Sequence, residues 1–203
     1  RQMCIRDSVD PAFKSFPRTS LPNLSAKAGL VSYSDHLDSF LDTLFPKKNL
    51  DQTLGETVAK QNMKQLRIAE TEKYPHVTFF LNGGQEVRFP GEERILVPSP
   101  KVLTYDTQPE MSAKTVTQEL TNAMAKNEFG LIVVNYANPD MVGHTGSLKA
   151  AIKAVETVDQ CVGRVVESVL DHDGTMLLTA DHGNCEVMFD EKRGIPHLSL
   201  IHI

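Results

Sequence analysis

The sequence predicts an α/β domain built on a mostly parallel sheet flanked by helices. Three observations predict it. KQLRIAE (64–70) and RILVPS (94–99) read as short strands, and two apolar runs of strand length, FGLIVVNY (129–136) and TMLLTA (175–180), are continuous rather than alternating, as expected of strands covered on both faces. Between the last two lies one long stretch, Ser147 to Leu170, whose apolar residues Leu148, Ile152, Val155, Val158, Val162, Val165, Val166 and Val169 keep helical spacing. The chain has 203 residues, 40% hydrophobic and 23% charged, enough for one substantial core, or one domain and part of another.

Each element follows in order. Residues 9–29 are Pro- and Ser-rich and weakly patterned. LVSYS (30–34) reads as a short strand, and SDHLDSFLDTLFPKKNL as an irregular connector ending near Pro46. From Thr53, TLGETVAKQNM reads as an amphipathic helix with Leu54, Val58 and Met63 roughly on one face. KQLRIAE is then a short buried strand. HVTFFL (76–81) is expected as a second strand stopped by the turn Asn82-Gly83-Gly84, and RILVPS as a third. Ser112 caps a helix running to about Asn127. FGLIVVNY is the strongest strand, followed by the loop ANPDMVGHTG and the long helix, which DHDG ends with Gly174 at its C-terminal turn. TMLLTA is expected as a buried strand leading into DHGN.

Net charge is −5, so nothing favours nucleic acid or an anionic membrane surface. No apolar run approaches the ~20 residues of a membrane span, and RQMCIRDS lacks the apolar core of a signal peptide. The three cysteines, Cys4, Cys161 and Cys185, are far apart, which argues against a disulfide framework or a structural zinc site and for a reducing cytoplasm. There is no GxxxxGK[ST], no GxGxxG after a strand and no GxSxG elbow.

In a parallel strand–helix–strand unit both strands end on the same sheet edge, where α/β folds bind ligands. The first strand delivers Asp140 and His144, in NPDMVGH; the second delivers Asp181 and His182, in TADHGN. Carboxylates and neutral imidazoles suit Mn²⁺, Zn²⁺ or iron. Two ions about 3.5–4 Å apart can clamp the attacking and leaving oxygens of a phosphoryl transfer. Gly143 and Gly183 permit close approach beside these residues. A lone Asp-His after a strand is usually a helix cap or a surface turn; two such pairs on consecutive strands favour metal. His36, His76 and His172 are expected in solvated or satisfied roles. Glu186 lies near the pairs, with a surface role equally supported. Spacing alone makes Lys73 a solvated residue beside Glu70 and Glu72, although a Lys at the same rim is able to hold a phosphate as a point charge.

QLRIAETEKYPHVTFFLNGG, GEERILVPSPKVLTYDTQPEMSA, NYANPDMVGHTG and TADHGNCEVMFD together resemble the C-terminal part of the cofactor-independent (2,3-bisphosphoglycerate-independent) phosphoglycerate mutases, in the alkaline phosphatase superfamily. The resemblance runs from about Val9 to His197. It implies an alkaline-phosphatase-like sheet, here incomplete because the N-terminal strands are missing. It also implies interconversion of 3-phosphoglycerate and 2-phosphoglycerate in glycolysis, through a phosphoserine intermediate at a two-Mn²⁺ site. Other divalent metals are admissible, and 2,3-bisphosphoglycerate is not required. By resemblance Asp140 and His144 match the ligands of one metal, and Asp181 and His182 those of the other. Lys73 matches a substrate-phosphate lysine, which reverses the reading from spacing. The partner is the small-molecule substrate, with no nucleic acid and no membrane, and the complete enzyme is expected to be a monomer.

By the same resemblance residues 9–47 are the tail of an inserted transferase domain with its linker, and residues 48–197 belong to the metal-binding phosphatase domain. Residues 1–8 and 198–203 match nothing in the family and read as foreign sequence. The nucleophilic serine has no counterpart here. Where the family continues PHTAHT and its second His ligates metal, this chain has Leu200; His197 matches the first, non-ligating His, and His202 stands in only by chance. The chain is therefore expected to be inactive alone. Two alternatives stand beside this reading: a metal-dependent phosphatase or other phosphomutase of the same superfamily, and a non-catalytic metal-binding fragment.

Overall fold

A computed structural model describes residues 2–46, 48 and 50–197, with side chains undescribed at residues 2–4; Leu200, His202 and the whole 198–203 tail lie outside the described residues. The chain divides into two units, Arg1–Leu50 and Asp51–Ile203.

The first unit holds helix α1 (Gln2–Val9), strand β1 (Ala28–Val31), a single helical turn α2 (Asp35–Asp38) and strand β2 (Asp42–Phe45), with β1 and β2 parallel. The segment expected as an irregular connector thus carries a turn and a strand. Ser34 caps the turn through its Oγ, which accepts from Leu37 N at 3.3 Å. Val9, Phe13 and Leu37 are buried in this unit. His36 is satisfied, as expected, by Asp10 at 2.9 Å.

The second unit is a three-stranded parallel sheet ordered β4-β3-β5, with β3 at Lys64–Glu70, β4 at Glu92–Val97 and β5 at Phe129–Asn135. Ile68 lies opposite Ile95 on one side and Val134 on the other. On that face Ile68 and Val97 pack with Val116 and Leu120 of α4 (Ala113–Met124) and Val165 of α6 (Leu148–Asp171). The opposite face of β3 buries Gln65 and Arg67, polar residues held beneath α3 (Leu54–Lys60) by Gln65 Nε2 donating to the Gly55 carbonyl at 2.8 Å. Thr53 caps α3, and Ser147 caps α6 through Ala150 N at 3.4 Å.

The helix–sheet pattern agrees with the sequence at most elements, and three expectations need correction. HVTFFL is not a strand: His76–Phe80 form one π-helical turn. Pro75 enters it already in helical conformation, and Thr78 Oγ1 donates back to the Tyr74 carbonyl at 2.7 Å, so local bonds satisfy the backbone that a ladder would have paired. TMLLTA is not a strand either: residues 175–180 make no ladder, and Leu177 and Leu178 are 93% and 71% exposed. An apolar run pairs only where a neighbouring strand offers its edge, and β5 pairs on the β3 side alone among the described residues. Ser112 does precede α4, but its hydroxyl donates to the Pro98 carbonyl at 2.7 Å instead of capping the helix. At the end of α6 the left-handed residue is Asp173, φ 52°, while Gly174 N closes the turn on Val169 O at 2.9 Å.

Candidate metal and phosphate site

The C-terminal ends of β3 and β5 and the loop after α6 meet at one rim. β3 ends at Glu70 and passes straight into a short turn, Thr71–Lys73. β5 ends at Asn135 and is followed by α5 (Asn138–Gly143), which carries Pro139 in its first turn, where a missing N–H costs nothing. α5 is clamped by an apolar cluster of Met111, Ala137, Val142, Ala150 and Ala154. Asp140 sits in its first turn, and His144 follows at the C-cap, one turn away on the same side. Asp181 and His182 come from the irregular segment after Ala180.

Lys73 is 3% exposed, not solvated beside Glu70 and Glu72. Its Nζ lies 2.8 Å from Asp140 Oδ2 and 3.6 Å from Asp181 Oδ2. Both acidic neighbours turn elsewhere: Glu70 accepts from Ser99 Oγ at 3.0 Å, and Glu72 from the Tyr105 hydroxyl at 2.7 Å. Burial pushes the Glu70 carboxyl up, and burial with the nearby Glu72 charge raises the Tyr105 phenol to about 12.

The four Asp and His residues lie close together, although the second pair arrives on an unpaired segment and not on the strand expected of TMLLTA. His144 Nε2 is 3.2 Å from Asp140 Oδ1, and His182 Nε2 is 3.8 Å from both Asp140 Oδ1 and Asp181 Oδ1. Partial burial alone would raise the two aspartates. For Asp140 the hydrogen bonds from Lys73 and Asn184 outweigh it; for Asp181 the charges of Lys73 and His182 do; both carboxyls end below their ordinary range. The donor set suits divalent ions in kind, two carboxylates and two imidazoles within a few ångströms. Among the described residues no group of three or more His, Cys, Asp or Glu side chains is arranged around one ion position. The Lys73 ammonium lies between the two carboxylates and offsets one of their two negative charges.

Two residues not singled out in the sequence belong to the site. Asn184 Nδ2 donates to Asp140 Oδ1 at 2.7 Å and to the Asp140 carbonyl at 2.9 Å. Asn135 Nδ2 donates to Asp181 Oδ2 at 3.3 Å. Their available signal was an Asn close in sequence to each aspartate. A Cβ at Gly143 would lie 2.6 Å from Asn184 Oδ1, so a larger residue there would displace that amide. A Cβ on Gly183 would lie 2.7 Å from Glu186 Oε1, so Glu186 packs against the second loop. His76 stands exposed beside Phe80, ring centroids 5.4 Å apart; burial and the Lys73 charge lower its pKa, while Asp181 and Asp140 pull the other way. His172 caps its own helix end through Ser168 O at 2.7 Å.

A profile of the Metalloenzyme superfamily matches residues 10–198. The chain belongs to the Metalloenzyme superfamily. Within that superfamily its relatives are the phosphoglycerate mutases its motifs resemble. It is 56% identical over 189 residues to the 2,3-bisphosphoglycerate-independent phosphoglycerate mutase of Rhodopseudomonas palustris, covering 93% of this chain and 38% of that protein. With the enzyme of the same name from Gluconobacter oxydans it shares 57% identity over 191 residues, 94% of this chain and 38% of that one. The phosphoglycerate mutase of Leishmania mexicana, whose crystal structures were obtained at low cobalt concentration, superposes with a TM-score of 0.74 at 31% identity, over 95% of this chain and 35% of its own. This member of the superfamily therefore spans well under half the length of the curated relatives it matches.

Proposed function

We propose that this chain is the metal-binding part of a 2,3-bisphosphoglycerate-independent phosphoglycerate mutase, which interconverts 3-phosphoglycerate and 2-phosphoglycerate in cytoplasmic glycolysis. The observation that carries the reading is the buried Lys73 ammonium set between Asp140 and Asp181, carboxylates that belong to loops 41 residues apart. Asp140 and His144 hold one divalent ion and Asp181 and His182 the other, Mn²⁺ being the ion proposed and other divalent ions its substitutes. When bound, such ions polarise phosphoryl oxygens and make a hydroxyl a better nucleophile.

The chain's own residues prepare for this. Lys73 is desolvated, so its charge acts on a substrate phosphate more strongly than an exposed lysine would. The same ammonium, with the amide donors, holds both aspartates ionised and oriented. α5 places His144 one turn from Asp140, so both donors face one point without further folding. By the resemblance the phosphoserine intermediate forms on a serine outside the matched stretches, and we propose that this chain alone does not turn over. No described helix is long and apolar enough to cross a membrane.

The test is a calorimetric Mn²⁺ titration of this chain beside Asp140→Ala and Asp181→Ala. Saturable binding weakened in both variants supports the reading; binding unchanged by either substitution sinks it. Metal-dependent mutase turnover by this chain in a coupled assay would refute its proposed inactivity.

A further inference from the structure

The two asparagines are arranged crosswise. Asn135 lies at the end of β5, in the stretch that leads to Asp140, yet its amide donates to Asp181 at 3.3 Å. Asn184 lies three residues after Asp181, yet its amide donates to Asp140 at 2.7 Å. Each loop thus lends a donor to the other loop's aspartate.

We propose that Asn135 and Asn184 are a reciprocal pair of positioning residues that orient the two aspartates for their ions, each serving the ion site of the opposite loop. The proposal rests on the reading that Asp140 and Asp181 are ligands. An ionised carboxylate has about four acceptor positions. A neutral amide occupying one of them fixes the plane of the group and leaves the rest for a cation, without cancelling the negative charge that attracts it. Lys73 also contacts both carboxylates, but it brings a charge that competes with a cation.

The geometry distinguishes positioning from ordinary loop bonding. Asn184 makes two bonds to one residue, Asp140 Oδ1 and the Asp140 carbonyl, which pins the side chain relative to its own backbone. The space it fills is kept open by Gly143, where a Cβ would meet Asn184 Oδ1 at 2.6 Å and Nδ2 at 3.1 Å. Beside it, Cys185 Sγ donates to the Pro139 carbonyl at 2.9 Å, a second tie across the same seam. Asn135 is fixed from beneath by its register opposite Ala69 of the central strand. Partners of this kind that orient ligands are worth about 10–100-fold in metal affinity.

The experiment isolates each site on this chain. In an Asp181→Ala background the remaining Mn²⁺ affinity reports the Asp140 loop; in an Asp140→Ala background it reports the Asp181 loop. Asn184→Ala should weaken binding about 10–100-fold in the first background and leave the second unchanged. Asn135→Ala should do the reverse. Gly143→Ala, which displaces the Asn184 amide without altering it, should reproduce the Asn184→Ala loss in the first background. Side-chain amide resonances give a metal-free readout: Asn184 should shift on Asp140→Ala, and Asn135 on Asp181→Ala. Effects confined to each asparagine's own loop, or unshifted amide resonances, overturn the crossed pair while the metal reading stands. Mn²⁺ binding indifferent to both aspartates overturns the metal reading and the pair with it.

Discussion

The loop that carries Asp140 and His144 leaves β5 and winds at once into α5, whose Val142 is fully buried against α6. The loop that carries Asp181 and His182 leaves an irregular, unpaired segment whose Leu177 and Leu178 face outward. Met176, packed against the core under the sheet, and Met188, buried beyond the site, anchor it at either end. The same residue pair is thus presented once on a packed scaffold and once on a strip of backbone tied across by side chains. The contrast shows that the same Asp/His pair can be carried either by a packed helical turn or by a segment without ladder bonds, so the pair does not dictate the local fold.

The largest expected effect tests what the two loops share. Asp140→Ala removes the nearer partner of a buried lysine, and unfolding should cost about 3 kcal/mol less, read from denaturant melts. Asp181, at 3.6 Å and more exposed, should matter less to stability. A larger loss in Asp181→Ala would reverse the ranking of the two loops. Next, Val142→Ala opens a cavity behind the first loop and should destabilise by about 2 kcal/mol, while Leu177→Ala should stay within about 0.5 kcal/mol. Equal costs would mean that the segment before the second loop is packed after all.

Acid should act on both loops in one direction. Asp140 and Asp181 have carboxyls lowered from 3.8, so they bind fewer protons folded than unfolded. Their contribution is complete above the unfolded value and is lost as pH falls below 3.8 through the folded ones. Chemical denaturation at pH 5 and pH 3 should show the drop, reduced in Asp140→Asn. Glu70, on the packed side, has the opposite sign: burial raises its carboxyl above 4.5, so its ionisation opposes folding. Glu70→Gln should be slightly more stable than the parent at pH 7, and the gain should vanish in acid; a loss at pH 7 would show that the Ser99 bond needs a charged acceptor.

The elements most legible in the sequence were those whose pattern is local. α6 was readable because eight apolar residues repeat at helical spacing along one stretch. β5 was readable as a continuous apolar run, whose Ile132 and Val134 pack against the core; β3 was readable only as a short strand, since its buried Gln65 and Arg67 interrupt the apolar pattern. HVTFFL and TMLLTA carry the same apolar character and became a π-turn and an unpaired segment, because a strand exists only in company. The chemistry divides the same way. Asp140 and His144 were recognisable as an Asp/His pair close in sequence, but the stretch read as a loop, and only the structure shows the helical turn that sets them at i and i+4 on one side.

The sequence by itself determined the donor types, their spacing within each loop, helices α3, α4 and α6 and the strands of the three-stranded sheet, because propensity and periodicity act between near neighbours. Only the tertiary structure decided that Lys73 is buried between two distant aspartates, that Asn135 and Asn184 serve each other's loops, and that residues 175–180 remain unpaired. Those outcomes depend on contacts between residues tens of positions apart. Desolvation and strand pairing reward them only once the whole sheet edge has formed.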